Sequence, residues 1–316
     1  MNAWRIRQST LFVAVAVLLR LGGAASAQWN EDAQACAEIS DADAALAHCT
    51  RAIDTGQLSP AGLAITLNNR ANAYQNKRDW DRAIADYNEA LRLEADSALF
   101  RNNRGAAYQH KGDHERALQD YDAAIRLDST SASAFNNRGR AYHFKENYAQ
   151  AIRDYDEAIE LDPDYALAFY NRGLARFDQS LYIASVPDFV RALSLDPGNP
   201  YRVIGQYLAK ARAGDTDREA LAYHARELNL TRWPGPVIAL FLGQLTVPAL
   251  LESTRDPDPT TQRERQCEAS FYAGEHLLIT GQRESAIGML QAAVATGISS
   301  LYEYASARAE LRRLAR

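Results

Sequence analysis

A short pattern of residues recurs along this chain at a fixed interval of 34 positions. Asn-Arg-Gly or Asn-Arg-Ala occurs at residues 69–71, 103–105, 137–139 and 171–173. Each copy is followed, 16 positions after its arginine, by an aspartate and an aromatic residue, at Asp86-Tyr87, Asp120-Tyr121, Asp154-Tyr155 and Asp188-Phe189. A fixed period of this length is the signature of a solenoid, in which one supersecondary unit stacks on copies of itself.

The small residues within the period predict that each unit is a pair of antiparallel helices. Where two helices cross closely, one of them needs a residue with almost no side chain so that the other can approach. One position holds glycine or alanine in every copy, and alanine recurs at the site expected opposite it: Ala71, Gly105, Gly139 and Gly173, facing Ala83, Ala117 and Ala151. One pair cannot bury its apolar face alone, so we expect neighbouring pairs to stack.

These positions and the 34-residue period resemble those of tetratricopeptide repeat (TPR) proteins over residues 64–199, in four copies that stay in phase. The resemblance implies an all-α fold, a right-handed superhelical solenoid of antiparallel helix pairs. It also implies that the first helix of each pair lines a concave groove.

Residues 1–27 predict a cleavable secretory signal peptide. Arg5 and Arg7 form a basic start, an apolar run extends from Leu11 to Leu19, and Ala25-Ser26-Ala27 is a small-residue cleavage site. The apolar run is too short to span a bilayer, which disfavours a membrane anchor, and no cysteine near the junction could carry a lipid anchor. We therefore expect an exported protein without stable membrane insertion.

The charge balance argues against nucleic acid as a partner. The chain has 35 basic and 40 acidic residues, and no basic stripe occurs in the sequence. Removal of residues 1–27, which contain arginines but no acidic residue, would make the exported chain more acidic.

The chain has three cysteines: Cys36, Cys49 and Cys267. When the repeat pattern is extended back over residues 28–63, Cys36 and Cys49 fall at the two positions that face each other across the helix pair. In an oxidising compartment we interpret them as a disulfide that stabilises a degenerate first pair by about 3 kcal/mol. Two inert thiols or a redox pair are the alternatives, although Cys-x-x-Cys spacing is absent. Cys267 is expected to be an unpaired, buried apolar residue.

An arginine and an aspartate recur together in all four repeats. The arginines are Arg70, Arg104, Arg138 and Arg172, and the aspartates are Asp86, Asp120, Asp154 and Asp188. Because every arginine has a matching aspartate, we favour a structural ion pair within or between repeats over a basic track for an acidic ligand.

Asparagines recur on the predicted first helices, where the resemblance places the groove. An asparagine side chain carries both a donor and an acceptor, as gripping a peptide backbone requires. The candidate groove residues are Asn68, Asn69, Asn72, Asn102, Asn103, Asn136, Asn137, Arg140 and Asn171, with Gln75, Gln109 and His143 at the same register. The alternative is that the asparagines are structural. The lysines and arginines of a carboxylate clamp are not in place.

No pattern in the sequence predicts catalysis, a cofactor or a metal site. The six histidines are scattered, and His110 and His114 are separated by a predicted turn, so they would not share a helical face. His-Glu-x-x-His, Gly-x-Ser-x-Gly and phosphate-binding glycine loops are all missing from the sequence.

Residues 200–316 depart from the regular period and are expected to be a divergent helical region. A helix pair is predicted over residues 201–229, short proline-opened helices follow, residues 255–259 read as a linker, and residues 267–297 restore a last repeat before a capping helix at residues 300–316. The Trp233-Pro234 segment, Phe241-Leu242-Gly243 and Glu268-Ala269-Ser270-Phe271-Tyr272 resemble the C-terminal half of NlpI-type periplasmic TPR proteins of Gram-negative bacteria.

This second resemblance implies a non-catalytic adaptor, often dimeric, that presents cell-wall hydrolases to a carboxyl-terminal processing protease. NlpI-type proteins are lipid-anchored, and this chain lacks the cysteine for that anchor. The sequence thus predicts a periplasmic scaffold that binds protein or peptide partners. The alternatives are a peptidoglycan-acting or modulating module in residues 200–316, and a purely structural homo-oligomer.

Overall fold

The computed structural model describes residues 31–316, so the predicted signal peptide lies outside the described residues. All regular secondary structure in this part of the chain is helical, which confirms the predicted all-α class. None of these helices is long and apolar enough to cross a membrane. The chain divides into two compact units, Met1–Ser129 and Thr130–Arg316, so the boundary falls inside the predicted four-repeat array.

Unit 1, residues 31–129 as described, consists of three helix pairs. Its helices are α1 (Glu31–Glu38), α2 (Ala42–Asp54), α3 (Pro60–Asn76), α4 (Trp80–Leu93), α5 (Ala98–His110) and α6 (His114–Leu127). Helix α3 begins at Pro60, four residues before the predicted start of the array at residue 64. The Ser59 side chain caps it by accepting a hydrogen bond from the Gly62 amide, and Pro60 at the first helical position fits there.

Unit 2 continues with regular pairs and ends in less regular helices. They are α7 (Ala132–Phe144), α8 (Tyr148–Leu161), α9 (Ala166–Asp178), α10 (Tyr182–Leu195), α11 (Pro200–Arg212), α12 (Arg218–Ala225), α13 (Gly235–Phe241), α14 (Val247–Glu252), α15 (Pro259–Ile279), α16 (Arg283–Ala295) and α17 (Tyr302–Leu314). Helix α15 starts eight residues before the predicted last repeat at Cys267. Asp258, interpreted from sequence as linker, caps it by accepting from the Thr260 and Thr261 amides.

The close approach of the two helices in each pair is confirmed. A methyl group added to Gly139 would lie 2.8 Å from Cε1 of Tyr155 and 3.1 Å from the carbonyl oxygen of Ala151. At Gly105 the same test gives 2.7 Å to Cε1 of Tyr121. The aromatic rings on the second helices are at most 1% exposed. At Gly105 and Gly139 a side chain is thus disfavoured because a buried aromatic ring lies against the helix backbone, whereas the first copy accommodates Ala71 beside Tyr87.

Most turns within the helix pairs contain a residue in the left-handed backbone conformation. In some turns it is a glycine, as at Gly112, Gly214 and Gly281. In three others it is Arg78, Glu146 or Ser180. Beside Glu146, Asn147 caps α8 by accepting from the Gln150 amide, which is stabilising because an unpaired amide at the start of a helix is costly.

The predicted arginine–aspartate pairs are confirmed as structural ion pairs. Within each repeat the guanidinium contacts both carboxylate oxygens of the aspartate 16 positions later; for Arg104 and Asp120 the distances are 2.8 and 2.6 Å. The four aspartates are 8% exposed or less. Arg104 also reaches Asn88, and Arg172 reaches Asp156, on the second helix of the preceding repeat. The arginines thus hold helix pairs together and join neighbouring pairs.

Candidate protein-binding site

Unit 1 presents a row of amide side chains on its first helices. Helices α3 and α5 are neighbours, and they carry Asn68, Asn69, Asn72, Gln75, Asn102, Asn103 and Gln109, which we call the amide face. Asn69, Asn72, Asn102 and Asn103 are partly exposed. All residues of the amide face are neutral amides, so each can both donate and accept a hydrogen bond.

One hydrogen bond fixes the register of the amide face between successive repeats. Asn103 donates from Nδ2 to Oδ1 of Asn68, 35 residues earlier, at 3.0 Å. Asn68 in turn donates to Oδ1 of Asn69 at 3.3 Å. Asn68 is only 5% exposed, so the structure gives it a packing role, whereas Asn69 and Asn103 lie at the surface beside it.

Tyr87, on second helix α4, orients two further amides. Its hydroxyl donates to Oδ1 of Asn72 at 2.5 Å and accepts from Nε2 of Gln75. Burial raises the pKa of Tyr87 far above its ordinary value, so the hydroxyl keeps its proton. Because Oδ1 of Asn72 is engaged, its Nδ2 group is left as a donor at the surface. Tyr87 is thus both a buried packing residue and a residue that orients two amides of the amide face.

Gln109 carries a buried donor that has no partner among residues 31–316. Tyr121 donates to Oε1 of Gln109 at 2.9 Å, and Gln109 is 2% exposed. Its Nε2 group makes no hydrogen bond within the described chain. An unpaired buried donor of this kind costs about 1–3 kcal/mol, so Gln109 is buried at a cost and is not accessible to a ligand.

In unit 2 two of the corresponding asparagines, Asn136 and Asn171, are not at the surface. Asn171 donates from Nδ2 to Oδ1 of Asn136 at 2.9 Å, and each side chain is 1% exposed. Asn137 and Arg140 remain partly exposed. His143, at the same register, is completely buried and lies 2.7 Å from Oδ2 of Asp178.

An aromatic residue from helix α17 lies against the first helices of unit 2. The ring of Tyr302 is 4.9 Å from that of His143 and 5.1 Å from that of Phe144, and the Arg140 guanidinium lies 5.6 Å from its centre. Its hydroxyl is 3.4 Å from that of Tyr155. We call the place formed by Arg140, His143, Phe144 and Tyr155 the tyrosine site. The sequence predicted α17 only as a cap and gave no signal for this contact.

Two carboxylates, those of Glu268 on α15 and Glu303 on α17, lie near each other where these helices pack. Tyr201 and Trp233 both donate to Oε2 of Glu268, at 2.8 and 2.9 Å. Burial, followed by the nearby Glu303 carboxylate, raises the pKa of Glu268 to about 8. Burial also raises the pKa of Glu303, whose Oε1 accepts from Tyr272 at 2.8 Å.

A second buried carboxylate has a cationic partner. Arg212 contacts Glu275 at 2.5 Å and Glu310 at 3.1 Å, and Tyr182 donates to Glu310 at 2.9 Å. Burial raises the pKa of Glu275 to about 7 in spite of Arg212. These groups are held by partners inside unit 2 and form part of the packing of α17 on α10, α11 and α15.

The cysteines lie where the sequence analysis placed them. Cys36 on α1 and Cys49 on α2 have Cα atoms 4.8 Å apart and are joined in the structure, a geometry compatible with the predicted disulfide. Cys267 is fully buried, and burial raises the pKa of its thiol to about 12. His110 ends α5 and His114 begins α6, on either side of the predicted turn. Across residues 31–316, no cluster of three or more metal-ligating side chains is found.

Comparison with known proteins identifies the repeats. Residues 68–132 match a family model described as "Tetratricopeptide repeat", and residues 139–180 match one described as "TPR repeat". Among solved structures, a tetratricopeptide repeat protein from Parabacteroides merdae is similar with a TM-score of 0.50 and 17% identity, over 80% of this chain and 99% of that one. This likeness concerns the fold.

Two further structures share the repeat architecture at lower similarity. One is pilF from Pseudomonas aeruginosa, with a TM-score of 0.47 and 17% identity over 79% of this chain and 99% of that one. The other is the first TPR of Spaghetti (RPAP3) bound to the HSP90 peptide SRMEEVD, with a TM-score of 0.36 and 24% identity over 38% of this chain and 94% of that one.

Proposed function

Because this chain contains tetratricopeptide repeats in an all-α fold, we propose that it is a non-catalytic scaffold that binds an extended segment of a protein partner on its amide face. TPR proteins bind protein or peptide partners, and the amide face supplies the groups that a peptide backbone needs. The observation that carries the proposal is a set of partly exposed asparagines: Asn69, Asn72, Asn102 and Asn103. Asn68 orients Asn69 and Asn103, and Tyr87 orients Asn72.

The mechanism is the accumulation of several neutral hydrogen bonds on a rigid surface. Each hydrogen bond contributes about 0.5–1.5 kcal/mol net. The internal bonds from Tyr87 and Tyr121 fix the amide orientations before binding, which lowers the ordering cost when a partner docks.

The finer parts of the proposal rest on sequence. The features of residues 1–27 support a periplasmic location, and the resemblance of the C-terminal half to NlpI-type proteins supports an adaptor that links cell-wall hydrolases to a carboxyl-terminal processing protease. The same resemblance supports the proposal that the protein forms a homodimer.

The proposal is tested by selecting peptide ligands and measuring their affinity for variants of the chain. Random peptides displayed on phage are selected on the purified protein, and the best binder is titrated by fluorescence anisotropy. Asn72→Ala and Asn102→Ala should each weaken binding about 5- to 10-fold, the effect expected for one lost hydrogen bond.

The matched control is Gln119→Ala, which removes an exposed amide from second helix α6. It should leave the affinity unchanged. Equal loss of affinity in all three variants, or tight binding that is insensitive to Asn72 and Asn102, would contradict the amide face as the binding site.

A further inference from the structure

We propose that the tyrosine site of unit 2 is a separate helix-binding site whose resident ligand is α17, and that a partner helix with the same side-chain pattern can replace α17 there. The pattern is an aromatic residue in the first turn followed by arginines six and ten positions later. This inference concerns other residues than the amide face and does not depend on it.

Tyr302 is held in the way that a protein surface holds an aromatic anchor. Phe144 stacks on its ring, His143 meets it edge-on, and Arg140 lies over its face. Aromatic contacts and a cation above the ring each contribute about 0.5–1.5 kcal/mol beyond burial. The site thus selects a ring by shape and by charge.

The residues around Tyr302 occupy the repeat positions that carry the amide face in unit 1. Arg140 is at the position of Asn72, and His143 is at the position of Gln75 and Gln109. Tyr155 is at the position of Tyr87 and Tyr121, and its hydroxyl faces Tyr302 where those two face amides. In unit 2, α17 therefore covers the repeat positions that are occupied by amide side chains and their tyrosine partners in unit 1.

The far end of α17 carries two exposed arginines, and Glu310 between them pairs with Arg212 inside unit 2. Arg308 and Arg312 reach Glu146, at 3.5 and 2.7 Å, and the two arginine side chains are 47% and 44% exposed. Exposed ion pairs of this kind contribute about 0–1 kcal/mol, so they set the direction of the helix more than they hold it. A partner helix with basic residues at the same spacing would make the same pairs with Glu146.

The segment that connects α16 to α17 favours the replacement of α17 by a partner helix. Residues 297–301 are not helical, Gly297 has φ of 70°, and no side chain caps the first turn at Leu301. Ala307 and Leu314 pack in the core of unit 2, so a partner helix that replaces α17 must also carry apolar residues at these two positions. Opening of one terminal helix without global unfolding is a common low-energy motion in proteins.

The test uses a fluorescent synthetic peptide of residues 298–316 added to the full chain. Arg308→Glu combined with Arg312→Glu weakens the chain's own α17 but leaves Glu146 in place to attract the arginines of the peptide. We expect this variant to bind the peptide at least about tenfold more tightly than the unaltered chain does. A peptide with Tyr302→Ala should bind at least about tenfold more weakly to the same variant.

The matched control is Arg226→Glu combined with Arg255→Glu, the same charge change at exposed arginines whose ion pairs are with Glu227 and Glu252. It should bind the peptide as the unaltered chain does. Equal binding by both double variants, or binding that does not depend on Tyr302, would overturn the proposal.

Hydrogen exchange on the unaltered chain provides an independent measurement. If α17 can leave its site, its backbone amide hydrogens should exchange with solvent at least about tenfold faster than those of buried α15. An excess of the peptide should not slow hydrogen exchange in α15. Equal protection of α17 and α15 would show that α17 is a permanent part of the core and would overturn the proposal.

Discussion

Asn171 donates a hydrogen bond to Asn136 across two successive first helices, at 2.9 Å, and neither side chain is more than 1% exposed. Both residues were candidates for ligand binding on sequence grounds. In the structure, the two side chains are joined to each other inside unit 2, and the equivalent bond from Asn103 to Asn68 orients the amide face of unit 1.

Asn136→Ala should therefore destabilise the protein by about 1–3 kcal/mol, because it leaves Nδ2 of Asn171 buried without a partner. Gln119→Ala should cost much less, since Gln119 is exposed on α6. Urea-induced unfolding of the two variants measures the difference. Equal losses would contradict a packing role for Asn136.

Two glycines in unit 2 should respond to alanine in opposite directions. At Gly139 a methyl group would meet the Tyr155 ring at 2.8 Å, so Gly139→Ala should destabilise by about 1–3 kcal/mol through overpacking. Gly288 lies inside α16 with nothing within 4 Å, so Gly288→Ala should stabilise by up to about 1 kcal/mol. Thermal unfolding compares them, and a stable Gly139→Ala variant would refute the close-approach argument.

The stability of the protein should fall as pH rises through the neutral range. The pKa of Glu268 is raised to about 8 in the folded protein, against 4.5 for the ordinary group, so the folded state binds the proton more tightly. The free energy of unfolding then decreases between about pH 4.5 and pH 8, by up to about 1.4 kcal/mol per pH unit for this group.

Glu268→Gln should make that decline shallower, because the amide imitates the protonated acid. Urea-induced unfolding from pH 5 to pH 8 measures the slopes. Glu252→Gln, at an exposed glutamate, serves as the control and should keep the slope of the unaltered chain. An unchanged slope in Glu268→Gln would show that Glu268 is already ionised in the folded protein.

The left-handed turn residue Arg78 offers a stabilising substitution. Its φ is 60°, a conformation that costs a non-glycine residue about 1–2 kcal/mol. Arg78→Gly should raise the free energy of unfolding by about 0.5–1 kcal/mol, after the added flexibility of the unfolded chain is counted. Lys77→Gly, where φ is −91°, should lower it. Destabilisation by both changes would mean that the Arg78 side chain contributes more than its backbone conformation costs.

The repeat architecture could be predicted because its cause is local and periodic. Gly105 and Gly139 mark the close approach, and each Arg–Asp pair lies 16 residues apart within one helix pair. The start of α15 could also have been found, because Asp258 followed by Pro259 is a standard helix start.

The exposure of the candidate site residues could not be predicted in the same way. Whether the Asn136 side chain faces solvent or contacts Asn171 depends on how neighbouring first helices pack. The contact between Tyr155 and Tyr302 spans 147 residues, and no periodic pattern connects them. Tyr302 lies outside the regular repeats, so the repeat pattern does not predict that its ring occupies the tyrosine site.

Site-specific photo-crosslinking in cells tests the central claim most directly. A photoreactive amino acid is placed at Asn102 on the amide face or at Gln119 on second helix α6, and the chain is produced in a Gram-negative host. The account predicts that the residue at position 102 captures a discrete protein partner, that position 119 does not, and that Asn72→Ala reduces the capture. Capture at position 119 alone, or capture at position 102 that Asn72→Ala leaves unchanged, would contradict it.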